Sequence, residues 1–279
     1  MNNRIIIEPG VKQKTYWRNL WNYRGLFYFL AWRDVLVRYK QARIGVAWSV
    51  IKPLLTIATM AFANWVFKID VPGGVPRILF VYSATLPWLF FAGTFSEVSN
   101  SMISNVSLLT KVYFPRLIVP ASTVIVCILD FAIMFVILLV IMVFFQFNPG
   151  WRIICLPLFL ALAFLAAMGI GIWMAALNVK YRDFKFVVPF IVQLGIYVSP
   201  VAFSSDLIQK SIVVPHALKF IYTLNPMVGV IDGFRWCLLG GTTNINMEGL
   251  FISLAFSIIA FVMGLRYFRK MERTFADII

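Results

Sequence analysis

Few side chains in this chain are placed to do chemistry, and two of those are carboxylates in apolar surroundings. Glu97 lies at the edge of one long apolar stretch and Asp130 lies within another. Ionisable groups in such places are costly and point to function. Asp130 has two readings: a proton relay, or a carboxyl that is protonated or hydrogen-bonded to a neighbouring helix. A relay needs a second ionisable group at the same depth, and Asp130 is isolated there, without an intramembrane Lys, Arg or His, so the second reading is favoured. Glu97 stands beside the polar run Ser99-Asn100-Ser101 and is more easily solvated. There is no GxxxxGK[ST] loop to cradle nucleotide phosphates and no HExxH. The single histidine, His216, has no second ligand nearby. Cys127, Cys155 and Cys237 each sit among apolar residues without CxxC spacing, and read as small hydrophobes rather than a metal or disulfide framework. No catalytic residue, metal or cofactor is expected.

Aromatic residues carry a different signal. The chain holds 27 Phe, 10 Tyr and 9 Trp. Phe186, Phe190, Gln193 and Tyr197 share one helical stripe, and Trp48, Leu55 and Phe62 recur at intervals of seven. Rings offer flat faces to the C–H surfaces of sugars, while Tyr and Gln tips bond hydroxyls. Such a lining suits a channel for a long, uncharged, hydroxylated chain. Lipid-facing and helix-packing aromatics are the competing reading. The candidate path is therefore Trp48, Leu55, Phe62, Phe190, Gln193 and Tyr197.

Positioning such residues requires membrane helices. Hydrophobic residues make up 61% of the 279 positions and charged residues 13%, with a mean hydropathy of +0.87. Soluble domains carry roughly a quarter charged residues, so the chain has too little charge for an ordinary wet surface. The net charge of +14 does not mark a nucleic-acid binder, because the cations alternate with apolar stretches instead of forming one face. Six stretches reach the about 20 apolar residues that a span needs: 46–67, 78–96, 117–145, 153–177, 184–203 and 250–267. The third exceeds a bilayer's need and is expected to tilt or protrude. Of the 25 Lys and Arg, 19 fall on the side of the two termini. Lys and Arg are retained in the cytoplasm, so both termini are expected there. The polar, basic first forty-odd residues predict no cleavable signal sequence.

Two segments flank this set. In the N-terminal region 1–45, Trp17, Leu20, Trp21 and Tyr28 form one helical stripe with Arg18, Asn19 and Asn22 opposite, which suits a helix in the headgroup layer. Packing on a soluble partner is the alternative. Between the last two spans, 204–249 holds two apolar pieces, 207–224 (broken by Pro215) and 227–239, separated by Asn225-Pro226 and closed by Gly240-Gly241. They read either as a re-entrant hairpin, about 205–240, or as two helices on the outer surface. The tail is 268–279.

Three regions together resemble a known family. One is 30–48, with Trp32, Arg33, Asp34, Arg38, Tyr39, Lys40, Arg43 and Trp48, followed by Lys52-Pro53-Leu54. The second is Asn178, Lys180, Arg182 and Asp183 followed by Pro189, Gln193 and Ser199-Pro200-Val201. The third joins Asn225-Pro226, Asp232, Gly233, Phe234 and Arg235 to the tail residues Phe268, Arg269, Lys270, Glu272, Arg273 and Asp277. This conjunction resembles ABC-2 type polysaccharide export permeases over nearly the whole chain, the O-antigen (lipopolysaccharide) branch most, with capsule and teichoic-acid exporters as near relatives.

The resemblance implies an all-α integral membrane fold: six transmembrane helices, an N-terminal amphipathic interface helix and an outer re-entrant helical hairpin. It implies a homodimer in the bacterial inner membrane with two copies of an ABC ATPase subunit, which alone binds ATP. The cargo would be an undecaprenyl-pyrophosphate-linked polysaccharide, moved from cytoplasm to periplasm. A coupling helix over 101–111 would dock on the ATPase through Ser104, Asn105, Leu108, Leu109 and Lys111, with Arg182 and Asp183 beside it. Arg33, Arg38, Lys40 and Arg43 would lie near the pyrophosphate. Arg forks and Lys point charges attract phosphates, and anionic membrane lipids equally. Asp34, four residues before Arg38, also supports the helix. An ABC-2 small-solute exporter and a membrane glycosyl- or acyltransferase are the alternatives; the latter needs an acid/base cluster near the interface, which the sequence does not display.

Overall fold

Apolar stretches alternating with short polar breaks fold into a series of helices, and no strand occurs among the described residues. The computed structural model describes residues 16–40, 45–69, 71–181, 183–211, 214–241, 245–272 and 275. The helices are α1 (Tyr16–Asn22), α2 (Arg24–Tyr39), α3 (Gly45–Val66), α4 (Arg77–Ser104), α5 (Val106–Lys111), α6 (Ile118–Phe144), α7 (Leu156–Lys180), α8 (Phe184–Val198), α9 (Ser205–Lys210), α10 (His216–Thr223), α11 (Pro226–Leu238) and α12 (Met247–Met271).

Among the described residues four helical segments are long and apolar enough to cross a membrane: Arg77–Ser104, Ile118–Phe144, Trp151–Lys180 and Met247–Met271. Hydropathy predicts six. The other two, over Val50–Val66 and α8, are shorter apolar helices. For α8 the reason is local. Pro200 has no N–H to extend the helix and disfavours a helical Ser199, so α8 ends at Val198, five residues before the expected 203. The opposite happens in α4, which runs on through Ser99-Asn100-Ser101 to Ser104 instead of ending at 96. Ser99 is buried there because Asn178 of α7 donates to its carbonyl at 2.8 Å.

α4 is the central element, with every residue from Leu79 to Trp88 buried. A helix apolar and buried all round belongs in the middle of a bundle, and α4 packs against α6, α7, α3, α8 and α11. α7 packs between α4 and α12. Its small residues allow close approach: a Cβ on Gly264 of α12 would collide with the Gly169 carbonyl of α7, the backbone-to-backbone contact that drives helix association in lipid. α6 and α12 leave long apolar side chains outside, among them Val140, Phe144, Phe251, Ile259 and Met263. So large an apolar exterior fits lipid rather than water.

Among the described residues, 204–249 holds α9, α10, α11 and the start of α12. α11 is buried along nearly its whole length and packs against α4, α7 and α12, while α10 is mostly exposed. Asn225 accepts from the Met227 N–H at 3.0 Å and Pro226 occupies the first turn, a paired start signal. The irregular stretch 199–203 after α8 is braced by side chains. Asn64 of α3 donates to the Ala202 carbonyl at 2.6 Å, and Asn225 donates to Ser199 Oγ at 3.0 Å. Buried Arg235 of α11 donates to the carbonyls of Val201 (2.9 Å) and Phe203 (2.7 Å). Non-helical backbone away from water is tolerated only when satisfied in this way.

Candidate functional site

The ends of α2 and α8 and the middle stretches of α3, α4 and α6 border an open cavity of about 1230 Å³. Its apolar walls are aromatic on α4 and α6. The Phe90 and Phe131 rings meet edge-on at 5.5 Å, and Trp88 leans on Phe91 at 5.5 Å. α8 lies close because Gly195 has no side chain: a Cβ there would sit 2.5 Å from the Trp88 ring. Gln193 and Tyr197 of α8 face the cavity together with Val192 and Ile196. α3 contributes Lys52, Thr56 and Thr59. Thr56 and Thr59 donate to carbonyls of their own helix, Lys52 O at 3.1 Å and Thr56 O at 2.9 Å.

At one end of the cavity three helices meet in a charged cluster. Arg38 of α2 pairs with Glu97 of α4 at 3.1 Å and with Asp130 of α6 at 2.6 Å. The Tyr39 hydroxyl donates to the other Asp130 oxygen at 2.5 Å. Burial, then the Asp130 carboxylate beside it, push the Tyr39 phenol above its ordinary range, so it stays a donor. A second cleft of about 320 Å³ lies on the far side of the Arg38–Glu97 pair, bordered by Asp34, Val37, Thr123 and Val126. Asp130 is thus paired, whereas its apolar neighbourhood in the sequence predicts an isolated group. Its partners come from the end of α2, 91 positions away in the chain for Tyr39, which meets the middle of α6.

The expected path residues separate. Gln193 and Tyr197 line the cavity; Phe190, Leu55 and Phe62 are exposed and do not. The side chain of Trp48 lies outside the described residues. On α3 the lining stripe is Lys52-Thr56-Thr59, polar residues at i, i+4 and i+7 in an apolar helix, and that spacing was the signal available in the sequence. Of the basic set, Arg33 donates to Asp34 at 2.7 Å and Asn105 at 2.8 Å, Arg38 is held by the two carboxylates, and Lys40 is exposed. Arg43 and Arg182 lie outside the described residues.

The expected coupling helix is shorter than 101–111. Residues through Ser104 continue α4, and the separate helix is α5 alone. Ser104 and Lys111 are exposed and Leu108 half-buried, whereas Asn105 and Leu109 turn inward. Leu109 packs in a second core with Tyr16, Phe114, Leu117, Phe268 and Phe275. Glu272 clamps this core. Its carboxylate accepts the Arg116 N–H at 2.8 Å, and its carbonyl accepts the Arg116 guanidinium at 3.0 Å. Asp183 is exposed at the start of α8.

Comparison with known proteins agrees with this architecture. The family model described as ABC-2 type transporter matches residues 25–239. The chain is similar to the O-antigen export system permease protein RfbA of Klebsiella pneumoniae, 29% identical over 252 residues, covering 88% of this chain and 92% of that one. It is also similar to the protein of the same name from Myxococcus xanthus, 25% identical over 219 residues, covering 78% and 82%.

Proposed function

Because the chain belongs to the ABC-2 type transporter family, a family of multi-pass membrane transport subunits rather than enzymes, we propose that it is the permease of an exporter for lipid-linked polysaccharide, with O-antigen as the cargo class. The relatives from two bacteria, both O-antigen export system permease proteins, support the cargo. The observation that carries it in this chain is the cavity of about 1230 Å³ with aromatic walls and polar Gln193, Tyr197, Thr56 and Thr59. That combination suits sugar rings, with their apolar faces and hydroxyl edges.

The remaining parts follow from this reading. α3, α4, α6, α7, α8 and α12 are the six spans, with α9–α11 as an outer hairpin and both termini in the cytoplasm of an inner-membrane protein. Two copies assemble with two ATPase subunits, which dock on exposed Ser104 and Lys111 and beside Asp183. The polymer, carried on undecaprenyl pyrophosphate, leaves the cytoplasm, and the lipid's phosphates rest on the outward-facing part of the basic arm, where Lys40 is exposed. The test is reconstitution in vesicles, alone and with the partner ATPase. ATP-dependent passage of lipid-linked polymer should need both subunits. An intact complex that hydrolyses ATP without moving polymer refutes the export reading.

A further inference from the structure

The charges facing the main cavity balance. Among the described residues its charged lining consists of Arg38, Lys52, Glu97 and Asp130, two cations and two carboxylates. Arg38 is already paired, one terminal nitrogen with Glu97 and the other with Asp130. A phosphate or sugar carboxylate drawn to its remaining N–H groups meets those two carboxylates at the same guanidinium, and the like charges disfavour it. An uncharged hydroxyl has the opposite relation to the cluster. Glu97 uses one oxygen for Arg38, and its side chain is 48% exposed, so its second oxygen accepts a hydroxyl proton without disturbing the pair. Gln193 and Lys52 supply donors across the cavity. A hydrogen bond to an ionised partner is stronger than a neutral one.

We propose that the Arg38–Glu97–Asp130 cluster with Lys52 forms a charge-compensated polar subsite that makes the cavity selective for an uncharged, polyhydroxylated segment and unfavourable for anionic ones. This rests on the cavity being the cargo path, and it assigns the anionic carrier group a place outside the cavity. Glu97 and Asp130 are then specificity-determining residues, since they cancel the cations that would otherwise draw in phosphates or acidic sugars.

The test reads the charge of the lining without any cargo. Ser96, which lines the cavity beside Glu97, is replaced by Cys in the full-length permease in lipid nanodiscs, with Cys127→Ala, Cys155→Ala and Cys237→Ala. Labelling rates are measured for anionic sulfonatoethyl, cationic trimethylammonioethyl and neutral glucosyl methanethiosulfonates, each normalised to a free thiol in solution. The three should agree within about threefold. Glu97→Gln should speed the anionic reagent several-fold over the neutral one. Arg38→Gln should slow it about tenfold, while Arg38→Lys, which keeps the charge and controls for folding, should stay near the parent. An anionic reagent favoured tenfold in the parent overturns the proposal, as does insensitivity to all three substitutions or a Ser96→Cys thiol closed to every reagent. Balanced labelling beside failed export would refute the export reading while the charge balance of the lining holds, and unbalanced labelling beside intact export would overturn this proposal alone.

Discussion

Replacing Arg38 and Asp130 singly and together measures how firmly α2 is fastened to α6. Asp130 forms an ion pair with Arg38 at 2.6 Å and accepts a hydrogen bond from Tyr39 at 2.5 Å, and a hydrogen bond to a charged group contributes about 1.5–3 kcal/mol. The Arg38 side chain is 37% exposed and that of Asp130 23%. Water therefore screens the pair, and an exposed ion pair contributes only about 0–1 kcal/mol. An intermediate coupling of about 1–1.5 kcal/mol is expected for Arg38→Gln with Asp130→Asn in a double-mutant cycle. The Arg38–Glu97 pair is longer, at 3.1 Å, and Glu97 is 48% exposed, so its cycle should give less than about 0.5 kcal/mol. The assay is reversible unfolding of the purified permease in mixed micelles, followed by far-ultraviolet circular dichroism. Tyr39→Phe, which removes one donor and keeps the ring, should cost about 1 kcal/mol and leave the Arg38–Asp130 coupling in place. Equal couplings for the two carboxylates, or an Asp130 coupling below about 0.3 kcal/mol, would refute the ranking by burial and with it the view that Asp130 is the anchor.

Other outcomes can be checked in the same system. Gly264→Ala should destabilise the permease by about 1–3 kcal/mol, because its new Cβ meets the Gly169 carbonyl of a packed helix, whereas Gly25→Ala, with nothing within 4 Å of the new atom, should be neutral or slightly stabilising by melting temperature. Burial raises the Glu272 carboxyl above its ordinary value of 4.5, with the hydrogen bond from the Arg116 N–H opposing. The folded state therefore holds this proton more tightly than the unfolded one, and the contribution of this group to stability is fully present below pH 4.5 and is lost as pH rises through the raised value. Glu272→Gln should flatten that part of the pH–stability curve, and an unchanged slope would assign it to another group. Tyr197→Ala should reduce ATP-driven polymer export by about tenfold while leaving ATPase binding intact, and Tyr197→Phe should be milder, since the ring supplies most of the contact; equal loss in both would move the function from the ring to the hydroxyl.

The membrane helices were legible because hydropathy reports directly on the solvent around a helix, and the expected 117–145 and 46–67 differ from α6 and α3 by a residue at each end. Hydropathy does not report where a helix stops. Ser99 and Ser101 read as an interface, yet they are buried in packing against α7, so α4 outlasted its apolar stretch. Pro200 was visible and ends α8 locally, but nothing local shows that Arg235 and Asn64 arrive to hold the carbonyls beyond it. The site was legible in part. Gln193 and Tyr197 stood out as polar tips on an aromatic stripe. Asp130 was conspicuous while its partners were not, because nothing local in Arg38 or Tyr39 states that α2 ends against the middle of α6. On α3 the heavy aromatic repeat drew attention from the lighter Lys52-Thr56-Thr59 stripe that faces the cavity.

The bracing of 199–203 has a mechanical consequence. α8 is a rod pinned at its C-terminal end by Asn64, Asn225 and Arg235, while its other end carries exposed Asp183, Lys185 and Phe186. At 1.5 Å per residue, Phe184 is about 22 Å from the pin, Gln193 about 9 Å and Tyr197 about 3 Å. A tilt of about 10° about that pin swings Phe184 by about 4 Å, Gln193 by about 1.6 Å and Tyr197 by only about 0.5 Å. A push delivered at the free end is therefore geared down along the rod, moving Phe184 most and leaving Tyr197 almost still.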